Sequence, residues 1–180
     1  HRGWLGATRR LGPGAGRDDP SWYDLGRSAV EHRQSEVAFD ALSEAEDDLL
    51  ANTDIESRRW RRAAWSLGWE FERLGYPDRA RTIWRLSLPG FEAVAAEDPD
   101  NSDAWLDLAV VFALIGEEAR ALDALDRSVV EGLRNVAYLE ESEALNAIRG
   151  HERFQAALEG ARRNLAEREA FLHDQGLVIP

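Results

Sequence analysis

The feature that most constrains the fold is an internal repeat of just over forty residues. Pairs of a leucine and a small residue recur at offsets of 42 and then 41 along the chain: Leu25–Gly26, Leu67–Gly68 and Leu108–Ala109. Single alanines recur at the same two offsets: Ala38, Ala80 and Ala121. Because two independent markers keep one period, we expect each period to be one structural unit that packs against the next.

The spacing of apolar residues predicts that almost everything from position 21 onward is helical. One face of a helix takes residues at i, i+3, i+7 and i+10, and four apolar residues have that spacing: Trp105, Leu108, Phe112 and Ile115. We expect this helix to begin near Ser102 or Asp103, either of which can act as its N-cap, and to end at Gly116. A second helix up to about Gly132 completes a predicted hairpin over 102–132.

A second hairpin is predicted immediately before this one. Residues 63–74 form its first helix, which Gly75 ends, and Pro77 can begin the second helix because proline is tolerated in a first turn. Pro89 then interrupts the apolar spacing. Because proline removes a backbone donor and clashes with the preceding turn, we expect a kink or a break there, with 91–96 as a separate helical piece.

Weaker helices are predicted at both ends of the chain. Four are expected, the last of them the longest: 22–33, 36–51, 137–149 and 152–172. The first twenty residues combine five glycines, two prolines and four arginines without an apolar period, so 1–20 is expected to be a flexible or partner-bound arm. The helical repeat domain then covers 21–172, and 173–180 form a C-terminal tail.

The repeated segments SWYDLG, AAWSLGWEFERLG and DAWLDLAVVFALIG resemble the tetratricopeptide repeat, a two-helix unit with large and small residues at fixed positions. The unit over 102–132 fills those positions in order with Trp105, Leu108, Ala109, Phe112, Gly116, Ala121, Leu125 and Ser128. The preceding unit fills them, apart from the opening aromatic position, with Leu67, Gly68, Phe71, Gly75, Ala80, Trp84 and Ser87. The resemblance implies an all-α fold of antiparallel helix pairs, stacked as a short right-handed solenoid.

The resemblance covers about 22–158, is strongest over 63–132, and departs from the family in two respects. The period is 41 to 42, whereas the family's unit has about 34 residues. In the first unit Arg33 occupies the position of the turn glycine. Because the additional residues fall near Ile55 and Pro89, at the ends of second helices, helix pairs are still expected, with a less regular superhelix.

Composition excludes several functional classes. Without cysteine there are no disulfides, thiolate zinc sites, iron–sulfur clusters or cysteine nucleophiles, and without lysine there is no Schiff base. The net charge of −12 opposes binding to phosphate backbones, and the longest apolar run, 104–115, is shorter than a membrane span and contains Asp107. The four histidines lack the spacing of metal ligands. We therefore expect no catalytic activity, cofactor, metal, nucleic acid or membrane-spanning segment.

An acidic run followed by an arginine cluster is the strongest candidate for partner contact. The run 35–57 contains no basic residue and eight acids: Glu36, Asp40, Glu44, Glu46, Asp47, Asp48, Asp54 and Glu56. The cluster is Arg58, Arg59, Trp60, Arg61 and Arg62. These residues fit either an acidic ridge that binds a basic partner, such as an arginine-bearing arm, or a solvated helix face followed by an arginine-rich first turn. Because Trp60, Trp65 and Trp69 have spacings of five and four, they fall on more than one helix face, and we expect two of them to pack in the core and Trp60 to be an exposed contact.

Three functional hypotheses fit these observations. The first, which the resemblance implies, is a non-catalytic scaffold that binds a peptide segment or another subunit. The second is a structural subunit of a larger assembly, filamentous or membrane-associated, anchored or self-associated through the arm 1–20. The third is an accessory domain cut from a larger enzyme. The chain contains no methionine, so we interpret His1 as the start of a processed or exported product, and the compartment stays open.

Overall fold

The computed structural model describes residues 35–51 and 58–177, and this part of the chain is all-helical. A 3₁₀ turn, Glu143–Leu145, lies between the last two of its seven α-helices. The helices are α1 Ser35–Ala51, α2 Arg58–Arg73, α3 Pro77–Glu97, α4 Ser102–Leu114, α5 Glu118–Val130, α6 Val136–Glu141 and α7 Glu152–Asp174. The predicted all-α class is thus confirmed for the described residues. The arm 1–20, the helix 22–33 and the first repeat marker, Leu25–Gly26, lie outside them.

The predicted hairpin over 102–132 is present as α4 and α5, although its cap differs by one residue. Asn101 is the N-cap, and its Oδ1 accepts hydrogen bonds from the backbone N–H groups of Asp103 at 3.1 Å and Ala104 at 3.2 Å. The expectation of Ser102 or Asp103 as the cap is therefore wrong. Both residues lie inside the first turn, because Asn101 is the last residue with extended backbone angles before the helix.

The turns within the helix pairs α2–α3 and α4–α5 have the same geometry. Gly75 ends α2 with a φ of 86°, and Gly116 ends α4 with a φ of 82°. The Tyr76 N–H donates to the Phe71 carbonyl at 2.9 Å, and one period later the Glu117 N–H donates to the Phe112 carbonyl at 2.8 Å. Positive φ favours glycine, because a Cβ is strained there. The repeat in the sequence is thus a repeat of turn geometry.

The later helix pair follows at a shorter offset. Helices α4 and α5 begin at Ser102 and Glu118, whereas α6 and α7 begin at Val136 and Glu152. Both helices of the pair therefore recur after about 34 residues, the length of a tetratricopeptide unit. The turn glycines Gly75 and Gly116 instead keep the longer period of the sequence repeat. The spacing of helix pairs along the chain is therefore unequal.

Helix α3 is continuous through Pro89, so the predicted break and the separate piece 91–96 are wrong. Proline already has a helical φ, and its cost in a helix is one lost hydrogen bond and a clash with the preceding turn. Residues before and after Pro89 are buried on the packed side of α3, including Trp84, Ser87 and Ala95. This packing on both sides stabilises one helix over the whole length.

The predicted helix 137–149 is also wrong, because α6 ends at Glu141. Ser142 has an extended backbone, with a ψ of 117°, and the 3₁₀ turn follows it. The Arg149 guanidinium donates to the carbonyls of Leu139 at 2.9 Å and Ser142 at 2.7 Å, and also to that of Glu140. One side chain thus replaces the helical partners that these carbonyls would otherwise have.

One hydrophobic core runs from α1 to α7. Helices adjacent in sequence pack on each other from α1 to α5, α5 and α6 pack on α7, and the 3₁₀ turn packs on α4. The largest fully buried side chains include Trp84, Phe71, Phe154, Leu42 and Ile83. Helix α7, predicted over 152–172, is the longest described helix, as expected. None of the described helices combines the length and apolarity that a membrane span requires.

Candidate functional site

The repeat-signature residues lie mostly inside the helix pairs. Those that are buried are Leu67, Gly68, Phe71, Ala80, Trp84, Leu108, Ala109, Phe112, Ala121 and Leu125. Gly75 and Gly116 form the two turns, and Trp105 is half-buried, with its Nε1 donating to the Pro99 carbonyl at 2.8 Å. These residues join the helices to each other.

Within the arginine cluster, Trp60 is buried, with 3% of its surface exposed, which corrects the expectation of an exposed contact. Its Nε1 donates to the Leu49 carbonyl at 3.0 Å, near the end of α1. The reason lies in the spacing, because Trp60 begins the buried stripe of α2 that continues through Ala64, Leu67 and Phe71. This indole therefore packs in the core and is not exposed for contact with a partner.

The arginines around Trp60 have different positions. The side chains of Arg58 and Arg59 lie outside the described residues. Arg62 is exposed, and Arg61 is half-buried with its guanidinium 5.8 Å from the Phe91 ring centroid. The cluster is therefore not one continuous contact surface. Among the described side chains of the cluster, Arg61 is the one connected to the groove described next.

Side chains of α2, α4 and α6 interact electrostatically around Asp107. Burial, and to a lesser degree the neighbouring Asp103, raise the pKa of Asp107 to about 6, while Arg61 of α2 lowers it. Burial raises the pKa of Tyr138 in α6 against the lowering effect of its hydrogen bond to Ser142, and the charge of Asp107 raises it further. Asp107 nevertheless remains exposed to solvent.

An open depression of about 360 Å³ lies farther along α2 and α4. From α2 it takes Trp69 and Glu72, from α4 Ala113 and Leu114, and from the start of α3 Pro77, Arg81 and Trp84. Residues that follow α6 complete it: Glu143, Ala144, Asn146 and Ala147. Residues from α2, α3, α4 and the segment 143–147 thus line one depression.

We call this surface the inner groove. Its α2 side chains fall on one helix face, at i, i+4, i+8 and i+11: Arg61, Trp65, Trp69 and Glu72. Its α4 side chains share one face as well: Asp103, Asp107 and Leu114. The third side is Tyr138, Glu143 and Asn146. The rings of Trp65 and Trp69 are half-buried and meet edge to face at 6.3 Å, so part of each is available for contact.

A second depression, of about 550 Å³, lies over the opposite face of α4 and is called the outer depression. Trp105, Leu108 and Phe112 form its floor, between α3 and α5. Arg120 lies 4.0 Å from the Phe112 ring centroid and pairs with Glu92 at 2.7 Å.

The other arginine of this depression, Arg127, lies 5.9 Å from the Trp105 ring centroid and pairs with Glu131 at 2.7 Å. The two basic groups of the outer depression are therefore both held by side chains of the chain itself.

Most of the inner groove could not be found from the sequence patterns alone. In the sequence, Asp107 only interrupts an apolar run, and no motif marks Glu72, Leu114, Tyr138 or Glu143. A usable signal exists, because the repeat signature marks packed helix faces, and Glu72 and Asp107 fall outside that signature. Within the described residues, no group of three or more histidine, aspartate or glutamate side chains is arranged to hold a metal ion.

No protein-family model and no curated protein matches this chain. The likeness to the tetratricopeptide repeat therefore rests on the residues and turns described above.

Proposed function

We propose that the chain is a non-catalytic protein–protein interaction scaffold. In this proposal its helix pairs stack as a short right-handed solenoid similar to the tetratricopeptide repeat, and the inner groove binds a segment of a partner protein. The observation that carries the proposal is the lining of the groove. Glu72 of α2, Ala113 of α4 and Ala147, which follows the 3₁₀ turn, line one depression although they are far apart in the chain. Stacked repeats generate a shared concave surface in this way.

The unequal spacing of the pairs is compatible with this proposal. The offset from α4 to α6 equals the family's unit length of about 34 residues, and the longer offset between Gly75 and Gly116 reflects the long helix α3. Because α3 continues through Pro89, the additional residues extend a helix and leave the turn at Gly116 unchanged. The stacking of pairs can therefore tolerate the longer period.

The side chains of the groove suit a protein partner. Aromatic residues and arginine are the residue types that dominate the energetics of protein interfaces. Trp65 and Trp69 are half-buried here, on the same face of α2 as Arg61, whose charge acts on Asp107. A concave surface of this composition can bury an extended segment along its length.

The test is a selection of displayed peptides on the immobilised full chain, followed by affinity measurements. Asp107→Arg places a large charged side chain in the groove, and Val130→Arg is the matched control, because Val130 is 74% exposed and lies outside the groove. We expect selected peptides to bind the Asp107→Arg variant at least about ten-fold more weakly and the control unchanged. Circular dichroism verifies that both variants fold.

Two results contradict the proposal. Peptides that bind the Asp107→Arg variant as tightly as the original chain place the contact elsewhere. A selection that yields no binding peptide argues against a peptide-binding scaffold altogether.

A further inference from the structure

We infer that the depression at one end of the inner groove binds an arginine or lysine side chain of the partner segment. This inference rests on the proposed function and adds the chemistry of the partner. The residues that carry it are Trp69 and Glu72 of α2 and Glu143 of the 3₁₀ turn, all of which line the depression.

The first argument is the charge of the depression. Among the described residues, neither Glu72 nor Glu143 has a basic side chain within ion-pair distance. The basic residue of the lining, Arg81, pairs with Asp78 at 2.5 Å. The depression thus contains two carboxylates and one guanidinium, and neither carboxylate has an ion pair with a described basic side chain.

The outer depression differs in this respect. Its two arginines, Arg120 and Arg127, pair with Glu92 and Glu131, and Arg120 pairs with Glu117 as well. Charges there are balanced by neighbouring helices. The unbalanced carboxylates of the inner groove are therefore a property of that groove and not of every depression on the surface.

The second argument is the indole of Trp69. A cation over an aromatic face is attracted by the ring, most strongly for tryptophan. The chain already uses such contacts, because Arg79 lies 4.5 Å from the Phe71 ring centroid and Arg120 lies 4.0 Å from that of Phe112. Trp69 meets Trp84 edge to face at 5.3 Å, and within the described residues no guanidinium lies over its ring.

The third argument is the rest of the groove. Asp103 and Asp107 lie near Arg61 at the other end, so carboxylates outnumber the guanidinium there too. The whole chain carries a net charge of −12. A segment that follows the groove therefore meets negative charge at both ends, and a basic segment is the complementary partner.

The test uses the full chain and the double variant Glu72→Gln/Glu143→Gln, which removes the two charges and preserves the size of the side chains. The matched control is Glu92→Gln/Glu131→Gln in and beside the outer depression. For a groove-binding peptide that contains arginine, we expect the groove variant to lower affinity roughly three- to ten-fold and the control to leave it unchanged. When the peptide's arginines are replaced with glutamine, the groove variant should have little effect.

A second measurement does not depend on a selected peptide. The probe is N-acetylarginine methylamide at millimolar concentration, observed through the indole N–H NMR signal of Trp69, which a Trp69→Phe variant assigns. We expect a saturable shift with this probe, none with N-acetylglutamine methylamide, and none in the Glu72→Gln/Glu143→Gln variant.

The outcomes separate the two proposals. Peptides that require Asp107 but not the two glutamates, together with no arginine-specific shift of the Trp69 signal, overturn this inference and leave the proposed function standing. An arginine-specific shift without any groove-binding peptide overturns the proposed function and leaves only a cation site. Adding salt to about 0.5 M should weaken the interaction, because exposed charges are then screened.

Discussion

Gly68 lies directly against the indole of Trp84, so that a Cβ at position 68 would be only 2.2 Å from its Nε1 atom. One repeat later, the corresponding residues are Ala109 and Leu125, both fully buried. The pair with the larger residue on its second helix, Trp84, thus has the smaller residue, Gly68, on its first helix. The glycine at position 68 is required by the size of its neighbour and not by its own backbone angles.

We predict that Gly68→Ala destabilises the chain by about 1–3 kcal/mol, because the buried indole of Trp84 must move. Helix propensity alone predicts the opposite change, because alanine stabilises a helix relative to glycine by about 1 kcal/mol. A loss of stability would therefore report the contact with Trp84. Chemical denaturation measures the change. Gly150→Ala is the control, because nothing lies within 4 Å of a Cβ there. Equal stabilities for Gly68→Ala and the original chain would show that the contact between α2 and α3 is looser than described.

A second prediction concerns the ion pair that joins α1 to α3. Arg79 donates to Glu46, a buried carboxylate, and to the Ser43 hydroxyl at 3.0 Å, and its guanidinium also lies over the Phe71 ring. Removing it leaves Glu46 buried without its partner, so Arg79→Ala should lower the free energy of unfolding by about 2–3 kcal/mol.

Arg81→Ala is the matched control for this change, because Arg81 belongs to the same helix and pairs with the exposed Asp78. An exposed pair contributes little, so the control should change stability by less than about 0.5 kcal/mol. Similar losses for both variants would mean that the burial of Glu46 does not matter. Denaturant titration of the two variants in parallel decides between these outcomes.

How much of the fold follows from the sequence depends on whether a residue acts locally. The turns at Gly75 and Gly116 were predictable, because glycine is favoured where φ is positive. The buried position of Trp60 agrees with its spacing to the other buried residues of α2, but the arginines on both sides of it favoured the wrong prediction of an exposed position. The predicted break at Pro89 was wrong for a different reason. Proline disfavours a helix locally, but packing of α3 on both sides of Pro89 outweighs this cost.

The candidate site was less predictable than the fold for the same reason. Trp69, Leu114 and Glu143 are far apart in sequence, and only the stacking of three segments brings them to one depression. The repeat signature identifies the packed faces of the helices. It gives no direct indication of which residues on the remaining faces meet across the groove.

A third prediction concerns Arg149, whose guanidinium donates to carbonyls at the end of α6 and lies 5.7 Å from the Phe154 ring centroid. Arg149→Ala removes these bonds and leaves part-buried carbonyls without partners, so it should cost about 2 kcal/mol. Arg149→Lys should recover only part of this loss, because an ammonium lacks the planar fork of donors.

Amide hydrogen exchange checks where the effect lies. Arg149→Ala should raise exchange in α6 and the 3₁₀ turn more than in α4, where the backbone bonds are independent of Arg149. Uniform loss of protection along the chain would contradict this local role.

The last prediction is a pH dependence that originates at Asp107. The pKa of this carboxyl is about 6 in the folded chain and about 3.9 for an unperturbed aspartate, so the folded state binds more protons between those pH values. Stability from this group is therefore fully present below about pH 4 and is lost as the pH rises through about 6. Asp107→Asn should consequently stabilise the chain at pH 7.5 and have little effect at pH 4.5. Because the carboxylate contacts solvent, the gain should not exceed about 1 kcal/mol.

The control for this pH dependence is Asp48→Asn, at an exposed position on α1. This variant should leave the difference in stability between pH 4.5 and pH 7.5 the same as in the original chain. An NMR titration of Asp107 adds a direct measurement. Arg61→Gln should raise the pKa of Asp107 further, since the charge of Arg61 lowers it across the groove. If Arg61→Gln leaves the titration of Asp107 unchanged, α2 and α4 do not face each other as described.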